Sequence, residues 1–423
     1  MKDIMKTLFI ENILMYSRSS IISHIFQIAK YLVEKLFFTY FLKILSSTGD
    51  PLSKYCFVDR ENAHSIWSLI DNIASALISQ SNQVFYFRFC DQSQRVGRTV
   101  PHGVKVIDIF VPVKRSRFSL ITQHRVFTRA LSRFLTQECV DVLHTHFAIP
   151  SIVSRWMGEK AGVPVILSTQ HELYGSMNPY LRLGLRITQH YCDAVVYVSE
   201  QVEKSYHPIS GLARRELVIK NGINLLDVQL QNSSLSDFGN SPHIICAGRF
   251  VPVKGQLTLL EALPKVLESF PAARLCLAGD GPDKSALHAR CQALGIIDSV
   301  EFPGWLPKDE MLDRAEGSSL MVVPSDGSQE GFGLVVAEAM ALGVPLVCTD
   351  IPVFREVAGD TVCYFPVADA DILADVIVKV LSHPESTNRR VNKALQRVEK
   401  YFDQRDMVDQ YLSLYKDLLR EKN

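Results

Sequence analysis

The chain has 423 residues, a length that accommodates two domains with separate hydrophobic cores. Hydrophobic residues make up 47% of it and charged residues 21%, which is the ordinary balance of a globular protein. Lysine plus arginine equal aspartate plus glutamate at 45 each, so the composition excludes a chain that attracts nucleic acid through its net charge.

Residues 1–50 form a leader that is helix-prone and rich in aromatic residues, above all over residues 31–45. No small-residue cleavage site follows its apolar part, and no run of 18 uninterrupted apolar residues occurs, so neither a secretory signal nor a membrane-spanning helix is predicted. Two interpretations stay open. Residues 20–45 either pack on the body of the protein or lie on a membrane surface as an interfacial helix.

Nine cysteines are scattered along the chain without any C-x-x-C pair, and several lie in apolar runs typical of strands. This pattern predicts small buried thiols in a reducing compartment, and it argues against a disulfide framework or a zinc site. We therefore expect a cytoplasmic protein, peripheral on the inner face of the cytoplasmic membrane if the leader is interfacial.

A first series of strands and helices fills residues 51–217. Strands are predicted over residues 55–58, 83–89, 104–110, 140–144, 163–168 and 194–198, and helices over residues 65–80, 120–136 and 180–191. Apolar strands that alternate with longer helices indicate a parallel sheet covered on both faces. His144 and His146 have a spacing that can bind a metal, but no second pair completes four ligands. A structural or substrate-facing role is the better interpretation.

A second series fills residues 218–400. Its strands are predicted over residues 243–248, 274–278, 300–302, 320–324, 345–349 and 361–365, and its helices over residues 256–270, 283–294, 334–342 and 371–382. Pro264 is expected to kink the first of these helices or to mark a shallow bend in it. The fold class is therefore α/β, with two doubly wound Rossmann-like domains facing across a cleft. They are joined near residues 218–227 and 387–401, and ligands are expected in the cleft, at the carboxyl ends of the strands.

Basic residues follow the first strand of the second series. The segment CAGRFVPVKGQ places Arg249 and Lys254 in one loop between that strand and the next helix. A cation pair at this point suits a diphosphate, because arginine can clamp two oxygens while lysine adds a point charge. Two basic residues taken alone are more typical of a solvated loop.

Two further strand ends carry turn residues suited to a nucleotide. In LAGDGPD, Gly279 and Gly281 end a strand before a helix; a lone G-x-G is weak, but its location fits a nucleotide-binding turn. In VEFPGWLPKDEM, the segment that contains Trp305 and Leu306 lies just past another strand. Backbone amides there are placed to bind the edge of a base.

The segment SQEGFGLVVAEAMALG carries Glu330 and Glu338 on either side of a glycine-bracketed turn. The free N–H groups and positive dipole of the helix start favour an anion such as a phosphate. Glu338 lies among alanines in a narrow helix, so a buried carboxylate there needs donors, and two sugar hydroxyls would satisfy it. Either glutamate alone is compatible with a solvated position. The turn and helix start comprise Gly331, Phe332, Gly333 and Leu334.

These motifs resemble those of the retaining glycosyltransferases of family 4, which have the GT-B fold. The resemblance is dense over residues 218–357 and looser over residues 52–420. VIKNGIN resembles the interdomain hinge of the family, and residues 401–420 resemble the helix that crosses back onto the first domain. The family resemblance implies transfer of a hexose, with retention, from a nucleotide-diphosphate sugar to a saccharide or lipid-linked acceptor. Biosynthesis of a surface or exopolysaccharide is the expected setting.

The resemblance also implies roles for individual residues. Glu338 would hold the donor ribose, and Arg249 and Lys254 the diphosphate. STQHELYG resembles the loop that carries a histidine near the sugar and acceptor, so the implied catalytic residues are Glu330 and His171. The implied donor-binding residues are Arg249, Lys254, Glu338, Gly331, Phe332, Gly333, Leu334, Gly279, Gly281, Trp305 and Leu306.

The chain departs from the family after its first strand, where a glycine-rich turn is usual and DRENAHS occurs instead. Side chains of Arg60 or His64 could take the place of the missing backbone contacts. Two other functions stay open: a nucleotide-sugar epimerase or hydrolase on the same fold, or a non-catalytic binding subunit. No cofactor or metal is expected, because the fixed cations Arg249 and Lys254 would neutralise the diphosphate as a metal ion otherwise does. The D-x-D of Asp369 and Asp371 is interpreted as a helix cap and not as a metal site.

Overall fold

The computed structural model describes residues 52–60, 64–91, 99–111, 117–225 and 241–422. The predicted leader over residues 1–50 lies outside these ranges, as does the side chain of His64. Within them, no helix has the length and hydropathy needed to span a membrane.

The first sheet contains seven parallel strands in the order β3-β2-β1-β4-β5-β6-β7. The six strands predicted from the sequence are present, and a seventh, short and partly polar strand at the sheet edge was missed. The strands are β1 Lys54–Arg60, β2 Gln83–Asp91, β3 Lys105–Val111, β4 Val142–His146, β5 Val165–Gln170, β6 Ala194–Tyr197 and β7 Arg215–Val218.

Helices cover both faces of this sheet because its strands are apolar on both sides. In β1, Cys56 and Val58 pack into one core while Tyr55 and Phe57 pack into the other, as the two-residue period of a strand requires. The helices of this part are α1 His64–Ser79, α2 Arg117–Glu138, α3 Ala148–Ala161, α4 Pro179–Thr188 and α5 Glu200–Ser205. Helices α2, α3 and α4 lie on the Cys56 side, and α1 lies on the Phe57 side.

The second sheet contains six parallel strands in the order β10-β9-β8-β11-β12-β13. They are β8 His243–Ala247, β9 Arg274–Ala278, β10 Val300–Gly304, β11 Leu320–Val323, β12 Leu346–Thr349 and β13 Cys363–Phe365. The helices are α6 Gln256–Ser269, α7 Lys284–Ala293, α8 Lys308–Glu316, α9 Leu334–Ala341, α10 Pro352–Ala358, α11 Ala370–Ser382 and α12 Pro384–Tyr401. Pro264 lies inside α6, which is continuous. The prediction of two doubly wound domains is confirmed.

The chain passes between the two sheets at two neighbouring segments. The backbone N–H of Ile223 donates to the carbonyl of Phe402 at 2.7 Å, and the N–H of Gln404 donates back to Ile223 at 3.1 Å. After this crossing, α13 Gln404–Lys422 packs on the first sheet beside α1. The second crossing is therefore at residues 402–403, just past the predicted range.

All nine cysteines are free, and most of them are buried in the two domains. The buried ones, apart from Cys192, lie in strands or helices where a small apolar side chain fills the core, as in β1 and β12. The sequence-based expectation of unpaired thiols without a disulfide framework is confirmed.

Candidate functional site

Loops from the two sheets meet where the predicted catalytic residues lie. Gly331 follows β11 and is so close to the backbone of His171, which follows β5, that a Cβ on Gly331 would lie 1.9 Å from the His171 carbonyl oxygen. The hydroxyl of Ser199 donates to the Gly331 carbonyl at 2.6 Å. Only glycine permits this approach. The contact brings the Glu330 segment and His171, which are far apart in the sequence, to one place.

A carboxylate in the last turn of α10, that of Glu356, adds polar contacts to this junction. Glu356 accepts the backbone N–H groups of Glu200 and Gln201, at 2.9 and 3.1 Å, in the first turn of α5. It also forms an ion pair with Lys220 at 3.2 Å. A carboxylate at a helix N-terminus satisfies free donors and complements the helix dipole. These polar contacts hold the two domains together beside the cleft.

Glu330 is buried and is held by two donors. Its Oε1 accepts a hydrogen bond from the hydroxyl of Ser325 at 2.8 Å and forms an ion pair with Lys254. The side chain of Lys254 is only 25% exposed, so its ammonium group lies at the inner end of the loop after β8. The structure therefore brings Lys254 and Glu330 together, and Ser325 is a partner that the sequence analysis missed.

Arg249 is the second cation of the same loop, and its side chain is exposed. Its carbonyl accepts a hydrogen bond from the side chain of Gln256 at 3.0 Å, which fixes the backbone of the loop. Across the described ranges, no carboxylate lies within ion-pair distance of its guanidinium. Arg249 can therefore use all its donors on a ligand, whereas Lys254 is already paired.

Gly279 and Gly281 have a packing role that the sequence analysis did not anticipate. A Cβ on Gly279 would lie 1.9 Å from the carbonyl oxygen of Gly248, and one on Gly281 would lie 2.4 Å from that of Phe250. The loop after β9 thus packs directly on the loop that carries Arg249. These glycines are required for that contact whether or not a ligand is bound.

Glu338 extends from α9, whose first turn has no side-chain cap. Its side chain is 20% exposed and lies 3.4 Å from the ammonium of Lys308, at the start of α8. Burial raises the pKa of Glu338, and Lys308 partly offsets that rise. The expectation that Glu338 depends on donors from a ligand is therefore incomplete, because Lys308 already supplies one. No sequence signal linked the two residues.

The remaining predicted donor-binding residues differ in exposure. Trp305, just after β10, is 65% exposed, so its indole face is open to a ligand. Leu306 is partly buried. Phe332 is buried instead, with its ring 5.5 Å from that of Phe402, so only its backbone can face a ligand. Leu334 is partly buried and starts α9.

The edge of the first sheet carries a row of three histidines. Nδ1 of His146 lies 3.0 Å from Nε2 of His171. Both nitrogens of His144 are bonded, to Tyr415 at 2.7 Å and Thr169 at 2.8 Å, so His144 is structural. Within the described part of the chain, Nε2 of His146 and Nδ1 of His171 have no hydrogen-bond partner. Among the described side chains, no group of three or more is arranged to hold a metal ion.

Burial controls the charges at this edge. It lowers the pKa of His171 to about 3 and the pKa of His146 well below its usual value, so both rings are neutral at physiological pH. Burial also raises the pKa of Asp59, at the end of β1, and that of Glu172. Arg60 is close enough to lower the pKa values of both carboxyls, which places it beside the site.

Asp59 and Glu172 were not predicted as site residues. One oxygen of Asp59 accepts the backbone N–H of Arg60 at 2.6 Å, and the other is buried without a partner among the residues that the structure describes. The available signal was the position of Asp59 at the carboxyl end of a strand. Asp369, by contrast, accepts the N–H of Ile372 at 2.9 Å and caps α11, as predicted.

Two family models match the chain, one on each domain. The model for glycosyl transferases group 1 matches residues 229–397, and the model for glycosyltransferase family 4 matches residues 67–225. N-acetyl-alpha-D-glucosaminyl L-malate synthase of Bacillus anthracis is 29% identical over 67% of this chain and 77% of its own length. Phosphatidyl-myo-inositol mannosyltransferase of Mycobacterium leprae is 28% identical over 68% of this chain and 75% of its own length.

Solved structures resemble the whole described architecture. HepE of Anabaena, in complex with UDP and glucose, has a TM-score of 0.71 at 17% identity and covers 86% of this chain and 100% of its own. Sucrose-phosphate synthase of Thermosynechococcus elongatus has a TM-score of 0.72 at 19% identity, with 87% and 100% covered. At these identities the likeness concerns the fold alone, and it confirms the predicted GT-B architecture.

Proposed function

The chain belongs to the glycosyl transferases of group 1, and from this membership we propose that it moves a hexose, with retention, from a nucleotide-diphosphate sugar to a hydroxyl of a saccharide or lipid-linked acceptor. The observation that carries the proposal is the meeting of the Glu330–Gly331 segment with His171. We interpret the loop with Arg249 and Lys254 and the neutral His171 as the two sides of one cleft.

The donor half of the cleft suits a nucleoside diphosphate. Arg249 has free donors, Lys254 adds a second cation, and the uncapped start of α9 offers backbone N–H groups to the same anion. Glu338 lies in the second turn of α9, where its carboxylate can accept hydrogen bonds from the ribose hydroxyls. Trp305 is open to stack on a base.

The chemistry follows from which groups are free to react. The bond from the anomeric carbon to the diphosphate oxygen breaks, and a bond from the same carbon to the acceptor oxygen forms on the same face. The acceptor proton passes to the leaving phosphate oxygen, and the two cations stabilise the charge that develops there. Glu330 is engaged by Lys254 and Ser325, so we assign it to holding the transferred sugar and the cation, not to a covalent intermediate.

His171 acts as a neutral hydrogen-bonding group in this proposal. Its Nε2 is occupied by His146, which leaves Nδ1 for a hydroxyl of the transferred sugar or of the acceptor. The carboxyls of Asp59 and Glu172, whose pKa values burial raises, lie at the same edge. An edge where burial disfavours charge suits hydroxyl-bearing acceptors such as sugars, and this supports a role in surface or exopolysaccharide synthesis.

The proposal is tested by incubating the protein with UDP-, GDP- and ADP-sugars, with and without oligosaccharide and lipid-linked acceptors. We expect acceptor-dependent release of the nucleotide and a product whose anomeric configuration, measured by NMR, equals that of the donor. Donor consumption without any acceptor would favour the hydrolase or epimerase. Nucleotide binding without turnover would favour the non-catalytic subunit.

The variant Arg249→Ala makes this test more specific. Arg274→Ala is its matched control, because Arg274 is also exposed but lies at the opposite end of the sheet. We expect Arg249→Ala to weaken nucleotide binding by about tenfold, as one lost charge-assisted contact predicts. Arg274→Ala should bind nucleotide as the parent does. Glu338→Ala is expected to weaken binding of the nucleoside diphosphate more than that of inorganic pyrophosphate, which has no ribose.

We also propose that transfer needs no divalent metal, since Arg249 and Lys254 can neutralise the diphosphate. Turnover should be unchanged when a chelator is added to the assay. A loss of activity that Mg²⁺ or Mn²⁺ restores would reject this part of the proposal and leave the rest in place.

A further inference from the structure

One surface of the first domain exposes large apolar side chains in a regular pattern. On α4, Tyr180, Leu183 and Ile187 are 86%, 55% and 58% exposed, and their spacing puts them on one helix face. On the opposite face of α4, Leu185 and Thr188 are buried in the core. Packing within the domain accounts for the buried apolar face of α4, but it does not account for the exposed one.

The neighbouring helix α3 continues this surface. Ile149 and Trp156 are exposed, at 41% and 46%, and lie seven residues apart on the solvent-facing ridge of α3. The two helices are in close contact, because a Cβ on Gly184 of α4 would lie 2.8 Å from Ile152 of α3. We call Ile149, Trp156, Tyr180, Leu183 and Ile187 the α3–α4 surface. Elsewhere in the described ranges, exposed large apolar residues lie on separate loops and helices.

Exposed basic residues outnumber exposed acids around the α3–α4 surface, where α3 carries one exposed acid, Glu159. Helix α4 contains the exposed Arg186 and the partly buried Arg182, whose Nε is inaccessible, and no acidic residue occurs over residues 173–192. Lys160 lies 4.0 Å from the ring centre of Trp156. On the adjoining α2, exposed arginines occupy positions 125, 129 and 133. No ion pair among the described residues involves the arginines of α4 or these three.

We infer that the α3–α4 surface docks on an anionic lipid bilayer. Apolar side chains would enter the boundary between headgroups and acyl chains, with the aromatic rings at the interface, and the arginines would contact anionic headgroups. The excess of positive charge matches this occupant. An acidic protein would also be attracted by this positive charge, but a surface built for such a protein would not bind lipid vesicles. The vesicle experiment therefore distinguishes the two occupants.

The surface begins at the mouth of the cleft. Ile149 lies three residues after His146, and Tyr180 lies nine residues after His171, at the ends of helices that start from the same sheet edge. A docked bilayer would therefore lie beside the half of the cleft that faces the acceptor. This step rests on the proposed function and selects a membrane-resident, lipid-linked acceptor over a free saccharide.

The docking is tested by flotation of the full chain with vesicles of phosphatidylcholine plus phosphatidylglycerol, and with vesicles of phosphatidylcholine alone. We expect binding only to the anionic vesicles. The triple variant Tyr180→Ser, Leu183→Ser, Ile187→Ser and the double variant Lys160→Gln, Arg186→Gln should each lose most of that binding. Matched controls on the second domain, Val367→Ser with Ile372→Ser and Arg389→Gln with Lys393→Gln, should bind as the parent does.

Two results would overturn the inference. The parent could fail to bind anionic vesicles, or the variants could bind as well as the parent, which would assign any membrane contact to another segment such as residues 20–45. Thermal unfolding and nucleotide calorimetry of each variant establish that it is folded. A protein that binds vesicles but transfers no sugar would reject the proposed function and keep the docking surface.

Discussion

The two sheet edges that meet in the cleft handle charge in opposite ways. The edge of the second sheet is charged: Arg249 is unpaired among the described residues, Lys254 pairs with Glu330, and Glu338 pairs with a lysine of α8. The edge of the first sheet disfavours charge on its acids and histidines, because burial lowers the pKa of His171 and raises the pKa of Asp59. One edge is built to hold an anion and the other to hold uncharged hydroxyls.

The contrast has a physical origin. At the second edge each acid faces a cation at short range, because Glu330 pairs with Lys254 and Glu338 with Lys308. At the first edge burial has the largest effect on the pKa values of the acids and histidines and disfavours their charged forms, and Arg60 only partly opposes it for the acids. A transferase needs both environments, because the leaving group gains charge while the incoming hydroxyl must stay close to carbon.

The largest effect is expected from removing the inner cation of the charged edge. Lys254→Ala should lower kcat/KM by about 10²- to 10³-fold, because the leaving diphosphate loses one fixed donor and Glu330 loses its counter-charge. Steady-state kinetics measures this loss. Lys265→Ala is the matched control, since Lys265 pairs with Asp375 on the surface of α6 and α11. Turnover near that of the parent in Lys254→Ala would show that the charged edge does not stabilise the leaving diphosphate through this residue.

A second effect comes from the contact between the edges. In Gly331→Ala the new methyl group would meet the His171 carbonyl, so the two loops must separate. We expect kcat to fall by about 10²-fold while nucleotide affinity stays near that of the parent, because misplacement of reacting groups affects chemistry first. Gly175→Ala adds the same methyl group where nothing lies within 4 Å, and it should be neutral. Equal activity of both variants would contradict the proposed meeting of the edges.

The neutral edge is tested next through His146, a positioning residue that orients His171. His146→Phe keeps the aromatic packing but removes the hydrogen bond to Nε2 of His171. We expect kcat to fall about tenfold, the cost of one hydrogen bond of about 1.4 kcal/mol, with donor affinity unchanged.

His146→Gln, which restores a hydrogen-bonding group, should recover part of the loss. The same change at exposed His190 is the control. A rise in donor KM with kcat intact would show that His146 acts through donor binding instead.

The smallest effect concerns stability. The raised pKa of Asp59 means that the folded state binds this proton more tightly than the unfolded chain does. Asp59 therefore reduces stability at neutral pH, and the cost disappears as the pH falls below the ordinary aspartate value of about 3.9.

Asp59→Asn should raise the free energy of unfolding by roughly 1 kcal/mol at neutral pH, and this gain should shrink on acidification. Urea unfolding at several pH values measures it. Asp350→Asn is a control of opposite sign, because Arg355 lowers the pKa of Asp350. A loss of stability in Asp59→Asn at neutral pH would mean that Asp59 is ionised, and the contrast between the edges would fail.

The sequence by itself determined the features that are local. Strand and helix periods predicted the two sheets, and the loops after β8 and β11 were identified because Arg249 and Lys254, or Glu330 and Gly333, lie a few residues apart at strand ends. The cap at Asp369 was readable for the same reason, since capping acts within three residues. The seventh strand was missed because four partly exposed residues carry too little hydrophobic signal.

Only the tertiary structure decided the pairings and the charges. Lys254 and Glu330 lie 76 residues apart, and no local pattern joins Glu338 to the lysine of α8 or Gly331 to His171. The protonation of Asp59 and of the histidines depends on burial by elements from the whole chain, including α13 at the far end of the sequence. Desolvation and close approach are properties of packed surfaces, so they arise only when distant segments meet.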